Sequence, residues 1–326
     1  MPTKSSKKPR VSLVIRAFDE EKHLGNLLHA IQQQRFLDFE TILVDSGSTD
    51  RTLTIAARYP VKVLHIQPGD FTFGRSLNLG LRAARGQIAV LASAHVLPLG
   101  KNWLKDLVAP FKDAKVAISY GQQRGGPGSK FSEAQHFRRW FPEHSDFDQQ
   151  HSYANNANLA LRLALWRKHP FDETLTGLED LAWASYWWHK GQKIAYVAEA
   201  GVTHFHNETA MQIVNRHRRE AIALKRILPK SRFTLRDFAS QFLRAVVIDF
   251  GAARRQRVLL RVAAGIISFR FLQYYGTYRG YRDPAALSAE LKHVFYYPPG
   301  SLEKRKPSAE RRAKPIKEES RKSAKA

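Results

Sequence analysis

Four short apolar runs, with helically spaced stretches between them, most constrain what this chain can fold into. Val11 to Ile15 (VSLVI), Phe39 to Val44 (FETILV), Val61 to Ile66 and Gln87 to Ala92 (QIAVLA) read as strands. Leu24, Leu27, Leu28 and Ile31 recur at helical spacing between the first two. The turn SGSTD (Ser46 to Asp50) opens a helix over Arg51 to Arg58, and Phe73 to Arg85 holds a loop and a further helix. Alternation at this spacing implies right-handed crossovers and a mainly parallel α/β sheet. Ligands of such sheets bind beyond the carboxyl ends of the strands. Those ends fall at residues 16–20, 45–50, 68–75 and 93–98, where charged and polar side chains concentrate.

The 326 residues suffice for one large α/β domain with an appendage, or for two domains. The absence of cysteine excludes disulfides, zinc–thiolate sites and cysteine nucleophiles, and fits a reducing compartment. No apolar segment follows the basic N-terminus, so a secretory signal is not expected. The net charge of +24 is segregated. Residues 1–10 carry four basic residues and no acid, residues 301–326 ten and four, and residues 211–282 sixteen and three, which leaves the rest close to neutral. A basic surface set apart from the α/β part implies an anionic partner, lipid headgroups or nucleic acid. No nucleic-acid-binding motif is present, which favours lipid.

No GxGxxG follows the first strand and there is no GxxxxGK[ST], which argues against dinucleotide and P-loop sites. The run GQQRGGPG (Gly121 to Gly128), after a strand at Val116 to Tyr120, reads as a mobile loop. Ala154 to Leu161 reads as a strand running into a helix at Leu163 to Lys168. The stretch from Phe171 to His206 concentrates reactive side chains. Glu179 and Asp180 open an aromatic helix capped by Thr176 or Gly177 and ended by Gly191; a short strand (Ile194 to Val197) leads to His204 and His206. A capped helix followed by a strand with two surface histidines accounts for this pattern, since acids in a first helical turn are favoured by the dipole. The same residues suit a general base beside a metal-bound leaving group. From Thr209 the pattern is helical, with a capping box at Thr234 to Asp237. Val258 to Phe269 is apolar but interrupted by Arg261, too short and too charged to span a bilayer; it reads as a core helix, with an interfacial helix as the alternative. The expected organisation is a disordered basic tail (1–10), an α/β domain (11–208), a basic amphipathic helical region (209–300) and a disordered charged tail (301–326).

Taken together, these motifs resemble the family 2 glycosyltransferases of the GT-A fold, from about Val11 to His206 and more loosely to about Gly280. VSLVIRAFDEEKHLGNLL resembles the family's opening strand and nucleotide-contacting loop, which implicates Arg16, Ala17 and Glu20. ILVDSGSTDRT resembles its second strand and turn; the resemblance places Asp45 on the base of the donor nucleotide, with Ser46 beside it. GRSLNLGLRAARG resembles the segment that brings an arginine, here Arg75, to the nucleotide, with Asn78 and Gly80 shaping the turn. FDETLTGLED resembles the acceptor-side motif, with Asp180 as the base that deprotonates an acceptor hydroxyl and Glu179 orienting the acceptor. The HFH step resembles a metal-ligating histidine, here His204. The implied fold is a GT-A nucleotide-sugar transferase domain with a C-terminal helical extension. The implied activity is inverting transfer from a nucleotide-sugar donor to a hydroxyl, with a lipid-linked saccharide of surface or exported polysaccharide as acceptor. RHRREAIALKRIL and RFLQYYGTYRG look similar to rhamnosyltransferase-like members. The implied location is cytoplasmic, peripheral on the inner face of the membrane.

Physical reasoning agrees: attack on a sugar C1 needs a base on the acceptor side and charge stabilisation of the leaving diphosphate. Where the family carries Asp-x-Asp after the fourth strand, this chain has Ser93-Ala94-His95. Either His95 and His204 hold a divalent metal, Mn²⁺ or Mg²⁺, with Mn²⁺ more tolerant of imidazole, or His95 contacts the diphosphate directly. Several assignments have plainer counterparts. Asp45 also suits a turn, and Arg75 a surface. Asn155 and Asn156 suit turn caps as well as sugar hydroxyls, and Trp183 suits core packing as well as stacking on a sugar. Two further classes stay open: a glycosyltransferase-like scaffold without catalysis, and a basic nucleic-acid-binding protein.

Overall fold

The computed structural model describes residues 8–283 and 295–296. Strands β1 (Val11–Ala17), β2 (Phe39–Asp45), β3 (Val61–His65) and β4 (Ile88–Ser93) form on the four apolar runs, joined by helices α1 (Leu24–Gln32), α2 (Thr52–Ala56) and α3 (Phe73–Ala83). β1 pairs in parallel with β2 and β4, and β2 with β3. Parallel strands covered on both faces need near-continuous Val, Ile and Leu. Accordingly Leu13 and Ile15 enter one core and Val14 the other. The register positions the site: Ala17 lies opposite Asp45 and Arg16 opposite Ser93, so the polar ends of three strands share one edge.

The chain continues through β5 (Val96–Pro98), α4 (Trp103–Val108), β6 (Val116–Gly125), α5 (Phe131–Trp140), β7 (Asn158–Arg162), α6 (Leu163–Lys168), α7 (Glu179–His189) and β8 (Lys193–His204). These extend the sheet to eight strands in the order β3-β2-β1-β4-β7-β6-β8-β5. β7 is antiparallel to β4 and β6, β5 is antiparallel to β8, and β6 and β8 are parallel.

Three local expectations are corrected. The glycine-rich run does not leave the sheet after Tyr120, because β6 continues to Gly125 and β8 continues past Val197 to His204, with a register shift between Gly121 and Gln123. Gly121 is needed there: a Cβ would lie 2.1 Å from the Ala200 carbonyl oxygen. The strand expected from Ala154 begins only at Asn158, because the Asn155 side chain accepts the Ala157 N–H and folds the chain into a turn. Neither Thr176 nor Gly177 caps α7. Leu178 takes that place in the left-handed region (φ 58°), and the Thr176 hydroxyl donates instead to the Arg219 carbonyl.

Helices α8 (Ala210–Ile227), α9 (Leu235–Arg255) and α10 (Leu259–Arg282) complete the described chain. Capping boxes at Thr209/Gln212 and Thr234/Asp237 start the first two. The apolar run from Val258 is the first half of the longer α10. Among the described residues no helix is long and apolar enough to cross a membrane. α10 crosses α8 closely at Gly276 and Gly280, whose Cβ atoms would lie 2.5 and 2.3 Å from the carbonyl oxygens of Val214 and Arg218. Arg270 on α10 forms a buried pair with Asp249 on α9 (2.8 and 3.0 Å) and donates to the Ser132 carbonyl of α5, which fastens the hairpin to the sheet domain. The tail expected at 301–326 lies outside the described residues, as do residues 1–7 of the tail expected at 1–10.

Removing one partner of a buried ion pair strands the other charge, at about 3–5 kcal/mol. Asp249→Ala is therefore expected to lower the unfolding free energy by about that amount in urea titration followed by circular dichroism.

Candidate active site

Three groups of side chains gather along the shared strand edge. The first is the turn after β2. Asp45 is buried, and its two carboxylate oxygens accept the N–H groups of Gly47 and Ser48 (3.0 and 3.1 Å), with His65 Nδ1 3.3 Å away. Ser46 donates its N–H to the Ala17 carbonyl. The turn-forming role is thus realised, and it presents the turn at the end of β1. Arg75, at the first turn of α3, is half-exposed and held by Asp70 (3.2 Å) and Glu173 (3.3 Å).

The second group surrounds the paired acids. Glu179 and Asp180 are 3% and 7% exposed. Asn156 ties them together: its backbone N–H donates to Asp180 Oδ2 (2.8 Å), its side-chain amide donates to Glu179 Oε1 (2.7 Å), and its Oδ1 accepts from Arg16 (3.3 Å). Asp180 Oδ1 accepts the Leu181 N–H at 2.8 Å. Arg16 stands 3.8 Å from Glu179. Burial first, and the neighbouring Glu179 second, push the Asp180 carboxyl up to about 7, against the two backbone N–H groups and Arg16. Leu178 turns the chain in a left-handed conformation immediately before this pair, and Asp19 (φ 52°) does the same immediately before Glu20. Non-glycine residues adopt this region at a cost and concentrate at functional sites.

The third group is imidazole. His95, in the turn between β4 and β5, stacks on His204 with ring centroids 5.1 Å apart. His204 Nε2 lies 3.0 Å from His206 Nε2. One ring nitrogen from each of the three histidines lies within 4.8 Å of the other two. Glu20 reaches His95 Nδ1 at 2.5 Å, Gln123 Oε1 reaches His204 Nδ1 at 2.7 Å, and Glu133 reaches His206 Nδ1 at 2.6 Å. Burial pushes His204 well below the usual imidazole range, so its ring is neutral.

Asp180, His204 and His206 open on one cavity of about 390 Å³, walled also by Phe137, Trp140 and Tyr153. Arg216 and Glu220 of α8 and Phe269 and Gln273 of α10 close it from the other side. Trp140 stacks on Tyr153 (4.7 Å between centroids, 24°). Trp183, weighed as a sugar platform, is instead 2% exposed, wedged against Phe171 and Trp187, with its indole N–H on the His169 carbonyl. Asn155 lines the cavity, and its Oδ1 accepts from Gln123 (3.0 Å) and from Ala157.

Sequence reasoning missed Glu133, Gln123 and the α8 arginines, and named His95 and His204, not His206, as metal ligands. Arg219 stacks over the Phe73 ring (4.5 Å), as Arg16 does (4.9 Å), and Arg216 pairs with Glu133 and Glu208. The available signal was the spacing in RHRREA, which puts Arg216 and Arg219 on one helical face.

The sequence model described as glycosyl transferase family 2 matches residues 12–174. The chain belongs to glycosyl transferase family 2. The O-antigen chain rhamnosyltransferase WbaN of Salmonella anatum is 29% identical over 201 residues, 58% of this chain and 64% of WbaN. The chain thus spans less than two thirds of that relative's length. The O-antigen chain rhamnosyltransferase RfbN of Salmonella typhimurium is 26% identical over 224 residues, 64% of this chain and 70% of RfbN. Among solved structures, the mannosyltransferase PcManGT from Pyrobaculum calidifontis, in complex with GDP-Man and Mn²⁺, matches with a TM-score of 0.58 over 89% of this chain and 87% of its own, at 16% identity. This family 2 chain has the GT-A fold expected for it, with helices at the C-terminus.

Proposed function

We propose that this family 2 chain transfers a sugar from a nucleotide-sugar donor to a hydroxyl of a saccharide, on a lipid-linked acceptor in surface or exported polysaccharide synthesis, with inversion at the anomeric carbon. The observation that carries the reading is Asp180. It is a buried carboxylate with raised proton affinity, on the wall of a cavity large enough for sugar rings, next to a cluster of imidazoles. As base, Asp180 takes the proton of the acceptor hydroxyl while the hydroxyl oxygen bonds to C1 and the C1–O bond to the diphosphate breaks. Attack from the face opposite the leaving group inverts the centre. Asn156 and Arg16 hold Glu179 beside it, so that Glu179 orients the acceptor rather than competing for the proton. Residues Arg16, Ala17, Glu20, Asp45, Ser46 and Arg75 are assigned to the donor nucleotide. For Arg75 this requires exchange of Asp70 and Glu173 for a phosphate or base.

The imidazole cluster fits a divalent cation: it offers one ring nitrogen from each of three histidines, all within 4.8 Å of one another, and their Nδ1 atoms are already hydrogen-bonded. A bound cation would neutralise charge on the leaving diphosphate. Residues 11–208 are read as the transferase domain and 209–300 as its helical region, although α8 and α10 share the cavity wall. We assign the outer face of the α9–α10 hairpin to an anionic membrane surface, on the cytoplasmic side where a nucleotide-sugar is available. It exposes Leu243, Val247, Ile248, Leu260, Ile267 and Phe271, and Arg254, Arg255, Arg257 and Arg261 cluster around its tip. An apolar face ringed by arginines matches an anionic interface.

Asp180→Asn is expected to lower kcat about 10³-fold in an assay of nucleoside diphosphate release, with the circular dichroism spectrum retained. The group must lose its proton to act, so the wild-type rate should rise with pH through about 7. Glu179→Gln, which removes the neighbouring negative charge, should move that inflection to lower pH; an unmoved inflection would assign the base elsewhere. On vesicles containing anionic lipid, each arginine near the surface contributes about 1 kcal/mol. Arg254, Arg255 and Arg257 all changed to Ala should therefore weaken sedimentation with such vesicles about a hundredfold and leave binding to neutral vesicles unchanged.

A further inference from the structure

The hydrogen bonds behind the three imidazoles determine which ring nitrogens are free, and the determination starts from the backbone. The Ala157 N–H can only donate, so Asn155 must present Oδ1 to it. That same Oδ1 lies 3.0 Å from Gln123 Nε2, which fixes the Gln123 amide with Nε2 toward Asn155 and Oε1 toward His204. An amide oxygen accepts, so His204 carries its proton on Nδ1 and offers a lone pair at Nε2. The Glu133 and Glu20 carboxylates impose the same tautomer on His206 and His95. All three Nε2 atoms are thereby left as acceptors.

His204 Nε2 and His206 Nε2 nonetheless lie 3.0 Å apart. Two lone pairs at that distance repel unless a positive species sits between them. A proton would serve two nitrogens, but a third ring, His95, from a different turn of the chain, brings a ring nitrogen within 4.8 Å of both. Two nitrogens each about 2.1 Å from a common ion, and at right angles about it, lie about 3 Å apart, so the spacing fits a cation with the angles of octahedral coordination. Glu20 and Glu133 stand behind the rings of His95 and His206, in the position where acceptors orient metal-binding imidazoles, while Glu208, which also lies near His206, is held by Arg216 (2.7 Å). None of the three converging groups is a carboxylate.

We propose that His95, His204 and His206 form a single three-nitrogen metal centre that takes Mn²⁺, Co²⁺ or Zn²⁺ and discriminates against Mg²⁺. Mg²⁺ demands oxygen ligands and gives up water reluctantly, whereas imidazole suits the later ions, with affinity rising from Mn²⁺ to Co²⁺ and remaining high at Zn²⁺. Asn155 and Gln123 are positioning residues for this centre. The proposal deepens the transferase reading, on which it rests for its purpose, but the binding of metal alone is measured apart from any turnover.

The test uses the full-length chain, stripped with a chelator and titrated with Co²⁺, whose visible absorption reports nitrogen ligation directly. One equivalent should bind, Zn²⁺ should displace it, and Mg²⁺ at a hundredfold excess should not. His206→Ala should weaken Co²⁺ binding at least tenfold. Gln123→Leu, which keeps every ligand, should weaken it about 10–100-fold. Both variants are checked for an unchanged circular dichroism spectrum. Displacement by Mg²⁺, or unaltered Co²⁺ affinity in His206→Ala, overturns the proposal. Failure to bind Co²⁺ by a protein that binds nucleotide-sugar removes the metal centre and leaves the transferase. Co²⁺ binding without nucleotide-sugar binding or turnover keeps the centre and removes the transferase.

Discussion

Two carboxylates buried side by side are the constraint to which the rest of the site answers. Glu179 and Asp180 share the first turn of α7, where the helix dipole favours negative charge but does not compensate two of them out of water. Asn156 supplies a donor to each, Leu181 one more to Asp180, and Arg16 approaches Glu179. The balance is uneven: burial strips both acids of water and one positive group faces the two, so burial first and Glu179 second raise the proton affinity of Asp180. A base that must release its proton to product and take another from the next acceptor benefits from that position. The arrangement depends on β1, because Arg16 reaches the acids from a strand end whose register is set by β2 and β4.

The same strand edge explains how the chain dispenses with a carboxylate motif after β4. His95 stands where the turn leaves β4, and β8 must run its full length to set His204 and His206 against it. That length is secured by Gly121, which lets the Ala200 carbonyl approach β6, and by Asn158, whose amide donates to the carbonyls of Gln122 and Ala200. The carboxylates that touch these rings, Glu20 and Glu133, stand behind them, on the Nδ1 nitrogens of His95 and His206.

What the sequence made legible follows from this. Strand ends of a parallel sheet are marked by where apolar runs stop, so Arg16, Glu20, Asp45 and His95 could be placed on one edge before any coordinates. Asp180 was legible because a helix start leaves acids in a recognisable pattern. Contacts made across long separations were not. Glu133 meets His206 from 73 residues away and Gln123 meets His204 from 81, and no local periodicity encodes either. Trp183 was open between core packing and a sugar platform, because an aromatic helix beside an acid looks the same in sequence whichever face it buries, and the structure shows the core reading. The glycine-rich run misled for a related reason: glycine marks a loop or the close approach of another backbone, and only the partner strand tells which.

The C-terminal helices join the two ends of the proposed activity. α8 supplies Arg216 and Glu220 to the cavity, and α10 supplies Phe269 and Gln273. α10 is held to α8 through Gly276 and Gly280, where no side chain separates the backbones, and to α5 through Arg270. α5 in turn carries Glu133, which orients His206. The hairpin face assigned to the membrane is therefore the outer side of the elements that wall the cavity and brace the imidazoles. A saccharide carried on a lipid would meet the cavity from the side on which its own membrane lies, and the helices that bind that surface would set the distance between the lipid and Asp180. Removing the helical region would take away the α8 and α10 side of the cavity that Asp180, His204 and His206 line.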